Sequence, residues 1–214
     1  MRKGIFLSLA VLLIWVTGSV ALGGSKDIPL AAPKLGTGVD LLAAFKMRQS
    51  TRGFAAKEVS LGDLSTVLWA ANGINRADGG RTAPAALRKY LVTIYVLADE
   101  GTYLYLPEKQ LLKFFSEKKL KSQVGQADVG TAFYVLLFTA KLDEYPAFVK
   151  RGEGINFAYA TAGCIGENVY LMVGALKLGT RIVAGIKREE IVAGLNLSKD
   201  EMPLFVMPLG YPKE

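Results

Sequence analysis

Residues 155–178 read INFAYATAGCIGENVYLMVGALKL, with Gly179 directly behind them. Apolar residues recur here at helical spacing on almost every side, and the glycine is a natural stop, so the spacing predicts a long helix over Ile155–Leu178. A helix without a polar face has to be covered all round. Along it Ala158, Ala162 and Gly166 recur every four residues, a smooth stripe on which another backbone or a flat ring packs closely. The cover comes either from a helix crossing within the chain or from a second copy, because one small domain has little material with which to wrap such a helix.

The flanking segments set the class. Leu91–Leu97 (LVTIYVL) and Tyr103–Leu106 are β-rich runs on either side of Asp99-Glu100-Gly101, the spacing of an antiparallel hairpin. Ala132–Thr139 (AFYVLLFT) is apolar throughout, as a central strand is. Arg181–Gly185 and Leu204–Gly210 read as two more strands around a short helix at Lys187–Leu195. A short helix begins over Leu41–Met47. Ser60 with Asp63 makes a capping-box-like start to a helix that runs to Asn72-Gly73. Pro107 opens a further helix towards Leu120, with Leu111, Leu112 and Phe115 inward and Lys113, Lys118, Lys119 and Lys121 on a solvated face. Helices and strands mix without βαβ alternation, which makes the class α+β.

The chain has 214 residues, 51% of them hydrophobic and 21% charged, the make-up of an ordinary folded domain. Its start, MRKGIFLSLAVLLIWVTGSVALGG, has the three parts of a secretory signal: Arg2 and Lys3, an apolar run from Ile5 to Val16, then small residues. Ser19-Val20-Ala21 places the expected cleavage after Ala21, giving an exported, periplasmic or extracellular protein with no stable membrane span once the signal is cut. The competing reading is an uncleaved anchor, although the apolar run is shorter than the roughly 20 residues a spanning helix needs. Residues 22–40 then form an extended arm and 41–214 the domain. Loss of residues 1–21 removes two positive charges, taking the formal charge from +7 to +5. The remaining excess is scattered, suits an anionic small ligand and lacks the dense stripe of a nucleic-acid binder. With no histidine and Cys164 alone, the usual zinc sites, a Ser-His-Asp triad and an intrachain disulfide are excluded. Cys164 reads as a small core residue. Chemistry must come from a bound cofactor or from carboxylates, and Asp143-Glu144 and Glu189-Glu190 read as surface and helix-start acids. Gly79-Gly80 lacks the flanking residues of a phosphate loop.

Met47-Arg48-Gln49-Ser50-Thr51-Arg52-Gly53-Phe54 carries the richest chemistry. If the chain is extended after Gln49, then Arg48, Ser50 and Arg52 share one side, presenting two guanidinium forks and a hydroxyl suited to phosphate or to the polar edge of a heterocycle. Alternatively both arginines are solvated or paired with acids.

This element resembles the N-terminal Arg-x-Ser-x-Arg/Lys motif of the FMN-dependent nitroreductases, and further segments follow in that family's order over residues 28–214. Leu68–Arg76 (LWAANGINR) resembles the helix and loop before the flavin edge. Arg81–Leu87 stands where the family has its Pro-Ser-Ala-x-Asn loop, Glu167-Asn168 stands for a Gln-Asn pair on the central helix, and Gly210-Tyr211-Pro212-Lys213 resembles the terminal strand. The resemblance, which includes the thiazole-oxidase-type branch, implies an α+β fold with a mixed, mainly antiparallel sheet flanked by helices around a long buried central helix. It also implies a homodimer. An FMN cofactor would pass hydride to a small-molecule substrate of nitroaromatic or quinone type, with NADH or NADPH as a transient donor. Carried over by position, Arg48 and Lys213 bind the FMN phosphate with help from Ser50, and Arg52 lies by the pyrimidine edge, where a cation favours reduced flavin. Pro84, Ala85 and Ala86 give backbone contacts to the ring, partly from the second subunit. Val183, Ala184 and Gly185 line the phosphate or ribityl side, and Gln49 and Glu167 complete the set. Three departures stand out: Ala85 and Arg88 replace Ser and Asn, and Glu167 replaces Gln with a group that only accepts when ionised. Two other readings share the fold: a dehydrogenase of azoline or peptide substrates with Tyr159 or Lys177 as base, and a flavin-free binding protein.

Overall fold

A computed structural model describes residues 26–213, so the signal expected at residues 1–21 lies outside the described residues. Among the described residues no helix is long and apolar enough to cross a membrane.

Asp40 caps α1 (Leu41–Met47), its carboxylate accepting from the Ala43 amide at 2.9 Å, and Ser60 caps α2 (Leu61–Asn72) through the Asp63 amide at 3.1 Å. The hairpin of β2 (Val92–Leu97) and β3 (Thr102–Leu106) forms as its spacing predicts. With β1 (Ile28–Pro29), β4 (Leu111–Ser116), β5 (Tyr134–Lys141) and β6 (Glu201–Leu209) it builds one sheet in the order β1-β4-β3-β2-β5-β6, every pairing antiparallel. The central helix α3 (Arg151–Ala175) lies with α2 on one face of this sheet, and α4 (Arg188–Leu195) lies on the other. A core therefore fills each face, and β5, buried on both, separates them.

Several expectations need correction. Residues 111–116 form β4, not a helix after Pro107: Leu112 and Phe114 point into the α2–α3 core at a spacing of two, and Gln110 makes the tight turn out of β3 with φ 45°. The lysines there form no helix face either, since Lys113 lies on β4 while Lys121 is buried and paired with Asp99 at 2.9 Å. Arg181–Gly185 makes only one bridge, Val183 to Val206, in place of a strand. The central helix starts four residues earlier than its apolar run, where the Glu153 carboxylate accepts from the Lys150 amide at 2.9 Å.

The small-residue stripe of α3 is covered by its own chain: Ala158 and Ala162 are fully buried, and a Cβ at Gly166 would stand 3.2 Å from Ile182 Cδ1 and 3.5 Å from Met207 Sδ. The opposite side of α3 is not covered within the protomer. Asn156, Tyr159, Ala160, Gly163 and Cys164 are exposed, so Cys164 is not the core residue its helix suggested. All-round burial of this helix is not achieved by one chain.

Candidate active site

After α1 ends, the backbone turns into an extended segment in which Ser50 and Arg52 face outward and Thr51 inward, the alternation the sequence implied. Buried Thr51 fixes the segment in three ways. Its amide donates to the Thr180 carbonyl at 2.9 Å, its carbonyl accepts from the Arg181 guanidinium at 3.3 Å, and its side chain fills the space where Gly179 would carry a Cβ, at 2.5 Å. Only glycine fits at 179.

Arg181 is the anchor beneath this segment. Its side chain, 6% exposed, gives Asp128 two hydrogen bonds (2.5 and 2.8 Å) and Gln126 one at 2.9 Å, a bidentate fork of the geometry that favours arginine. Hydrogen bonding from Arg181 holds the Asp128 carboxyl below the ordinary carboxylate range, and Asp128 raises Arg181 in turn. Tyr170 of α3 joins the other side: its hydroxyl lies 3.2 Å from Ser50 Oγ and accepts from the Ile182 amide at 2.8 Å, while the Arg48 guanidinium sits 5.5 Å from its ring centroid. The C-terminal segment closes the group, with the Lys213 amide donating to the Gly53 carbonyl at 3.2 Å and Phe54 bridging Pro212.

Arg48, Gln49, Ser50, Arg52 and Lys213 thus come together at the C-terminal half of α3. A pocket of about 370 Å³ runs beside them, lined by Arg48, Gln49, Thr51, Tyr170, Lys177 and Pro212 among others. Among the described residues the side chains of Arg48, Arg52, Lys177 and Lys213 form no ion pair, whereas Arg181 is neutralised beneath them. Among the described residues this surface carries an excess of positive charge on a rigid base. Anions are drawn to such a patch.

The other expected residues lie apart from it. Pro84, Ala85 and Ala86 line a separate pocket of about 250 Å³ with Phe157, Ala160 and Thr161, at the N-terminal half of α3. From Thr161 to Tyr170 the helix climbs about 14 Å. Arg88 turns away from that loop to pair with Asp78 at 3.1 Å. Glu167 is half-buried midway along α3, and its neighbour Asn168 donates to the Ala71 carbonyl at 3.5 Å. Val183 buries its side chain in the α4-side core and can offer only backbone, while Ala184 and Gly185 are exposed. Tyr159 accepts a long 3.4 Å contact from Arg188, and about 24 Å of helix separates it from the end of α3 at Ala175, beyond which Lys177 lies, so those two do not form one acid–base unit. Tyr170, Arg181 and Asp128 were not singled out from sequence. Arg181 follows a helix stop and Asp128 a Gly-Gln-Ala run, with no local pattern that marks either.

The sequence model of the Nitroreductase family matches residues 45–211, from the end of α1 to one residue past the Gly210 bridge. The chain belongs to the nitroreductase family. A nitroreductase-type protein of Methanocaldococcus jannaschii, MJ1384, is 30% identical over 173 residues, which cover 76% of this chain and 86% of that protein. The crystal structure of a nitroreductase-type protein from Ralstonia eutropha is 30% identical, covers 99% of this chain and 97% of its own, and superposes with a TM-score of 0.82. A chain of the Escherichia coli microcin synthetase McbBCD complex, solved with truncated pro-microcin bound, shares the fold at a TM-score of 0.67 and 18% identity, over 98% of this chain and 85% of that one. Membership makes this nitroreductase-family chain an oxidoreductase, and the α+β architecture is the family's.

Proposed function

We propose that the chain is an exported, homodimeric, FMN-dependent oxidoreductase that reduces a small electrophile such as a nitroaromatic or a quinone. The observation that carries this reading is the set of unpaired cations, Arg48, Arg52 and Lys213, held over the Arg181–Asp128 anchor beside an open pocket. The residues present fit FMN at its phosphate end: two guanidinium groups, an ammonium and the Ser50 hydroxyl present donors to a dianion that nothing else in the patch neutralises.

The second half of the site supports the dimer. Pro84–Ala86 sit about 14 Å back along α3 from Tyr170, towards its N-terminus. The uncovered strip of α3, from Asn156 to Cys164, runs past the Pro84–Ala86 loop, and Leu41, Leu42 and Phe45 of α1 are also exposed. A second copy laid on this strip would bury it and bring its own Pro84–Ala86 loop towards the first copy's cations. The exposed small residues Ala160 and Gly163 leave room for a flat ring. FMN bound there supplies two-electron reduction, with NADH or NADPH as its transient source of electrons. The chain's part is to hold the phosphate with Arg48, Ser50 and Lys213, to place a positive charge at Arg52 by the ring's polar edge, and to shield the site between protomers. No histidine is needed for that work. Residues 1–21 direct export and residues 41–214 form the flavin domain.

Reconstitution of the purified protein with FMN, followed by anaerobic titration with NADH or NADPH and a nitroaromatic or quinone acceptor, tests the reading. Bleaching by the donor and recovery with the acceptor support it, whereas a protein that leaves FMN unbound is a binding protein on this fold. Conversion of an azoline to an azole, detected by mass spectrometry, would instead mark the dehydrogenase direction.

A further inference from the structure

Pairing between β2 and β3 stops at Tyr95↔Leu104, although β2 extends back to Val92 and β3 runs on to Leu106. The two strands splay, and a cavity of about 350 Å³ opens between them. Its lining includes Ile94 and Tyr105 from the α2–α3 core and Tyr95 and Leu104 from the α4 core, so it passes through the sheet. It shares no lining residue with the pocket beside Arg48.

Each end carries an acceptor with capacity for a guest. At one end Asn72, 4% exposed, has no partner for its Oδ1. At the other end Glu201, 8% exposed, accepts from Tyr95 Oη at 3.0 Å and Thr139 Oγ1 at 2.6 Å, both on Oε1. Among the described residues no hydrogen bond reaches its Oε2, and no cation pairs with it. The cations nearby are engaged elsewhere: Arg81 pairs with Glu108 at 2.5 Å and lies over Tyr90, and Lys141, directly across the strands from Glu201, turns to Glu144 at 3.4 Å. The buried amide oxygen without a donor carries a desolvation cost that a donor-bearing guest would relieve, and a largely buried carboxylate with no cation beside it attracts one. Tyr95, Tyr105 and Phe115 line the passage between them, and aromatic walls favour a cation over a neutral guest.

We propose that this cavity is a second ligand site, for a short aliphatic amine bearing a further hydrogen-bond donor, with its ammonium on Glu201 and its other donor on Asn72. The volume lies at the small end of ligand pockets. The site is independent of flavin binding.

Calorimetric titration of the full-length protein with 1,4-diaminobutane, butylammonium and butane-1,4-diol, at constant ionic strength, tests it. The diamine is expected to bind at least tenfold more tightly than the diol, Glu201→Gln to weaken diamine binding at least tenfold, and Asn72→Ala to weaken the diamine several-fold while leaving butylammonium nearly unchanged. FMN binding should be the same in all three proteins. Absence of diamine binding, or binding that Glu201→Gln leaves intact, overturns the proposal. Should Glu201→Gln fail to fold by circular dichroism, crystals of the wild type soaked in 1,4-diaminobutane decide: density spanning Glu201 to Asn72 supports the site, and ordered water alone overturns it.

Discussion

Replacing Asp128 by Asn removes the charge that neutralises Arg181 while keeping the shape of the side chain. Arg181 is almost wholly buried, and Asp128 is 33% exposed on its side chain. Removing one partner of a fully buried pair costs about 3–5 kcal/mol. Water at Asp128 relieves part of that, and the Asn oxygen can still accept one of the two guanidinium bonds, so the expected loss is about 2 kcal/mol. For a chain of this size that is a fall of about 4–8 °C in Tm. Urea unfolding at a series of pH values gives the sharper assay. Arg181 lowers the folded-state pKa of Asp128, so the stabilisation is complete above the unfolded value near ~3.9 and is lost as pH falls through the folded value. The difference between wild type and variant should be flat above about pH 5 and should close below about pH 4. Because the same guanidinium holds the Thr51 carbonyl, FMN affinity should fall with stability. A variant within about 0.5 kcal/mol of wild type at pH 7, or a gap unchanged at pH 3, refutes the role of Arg181 as anchor.

Arg48→Ala should weaken FMN binding by about 10–100-fold, the loss of a charge-assisted hydrogen bond, and riboflavin binding hardly at all; fluorescence-quenching titrations with the two flavins measure the difference. Gly179→Ala should cost about 1–3 kcal/mol in urea unfolding, because the added methyl meets Thr51 Oγ1 at 2.5 Å; stability equal to wild type would show that the Thr51 packing is loose. Gly163→Arg points from an open stretch of α3 and should leave protomer stability unchanged or higher, since helix propensity improves, while converting the dimer to monomer in analytical ultracentrifugation and lowering FMN occupancy in parallel. Phe138→Ala in the strand between the two cores should cost about 3–5 kcal/mol by thermal or urea unfolding.

Sequence showed the local devices well. Ser60 caps α2 at the expected residue, and the Leu91–Leu106 hairpin forms because turn and strand signals agree. The error at 107–120 has a physical cause: Leu111, Leu112 and Phe115 fit a helical face, but burial of Leu112 and Phe114 against the core favoured the strand, and β3 supplied a partner. Tertiary context outweighed the pattern. At the site the alternation of Arg48, Ser50 and Arg52 was legible because it is local. Arg181 with Asp128, 53 residues apart, and Ser50 with Tyr170, 120 apart, were not, since only the fold brings them together. The uncovered strip of α3 was half visible: the absence of a polar face announced the need for cover, and the structure shows that one protomer covers only the Ala158–Ala162–Gly166 side.

The most direct test of the central claim is the absorption spectrum of the purified protein after incubation with FMN and removal of free flavin by gel filtration. Flavin bands at one FMN per protomer, eluting with a dimer and lost in a variant carrying both Arg48→Ala and Lys213→Ala, are predicted. A colourless protein after gel filtration, or flavin retained unchanged by that double variant, would contradict the account.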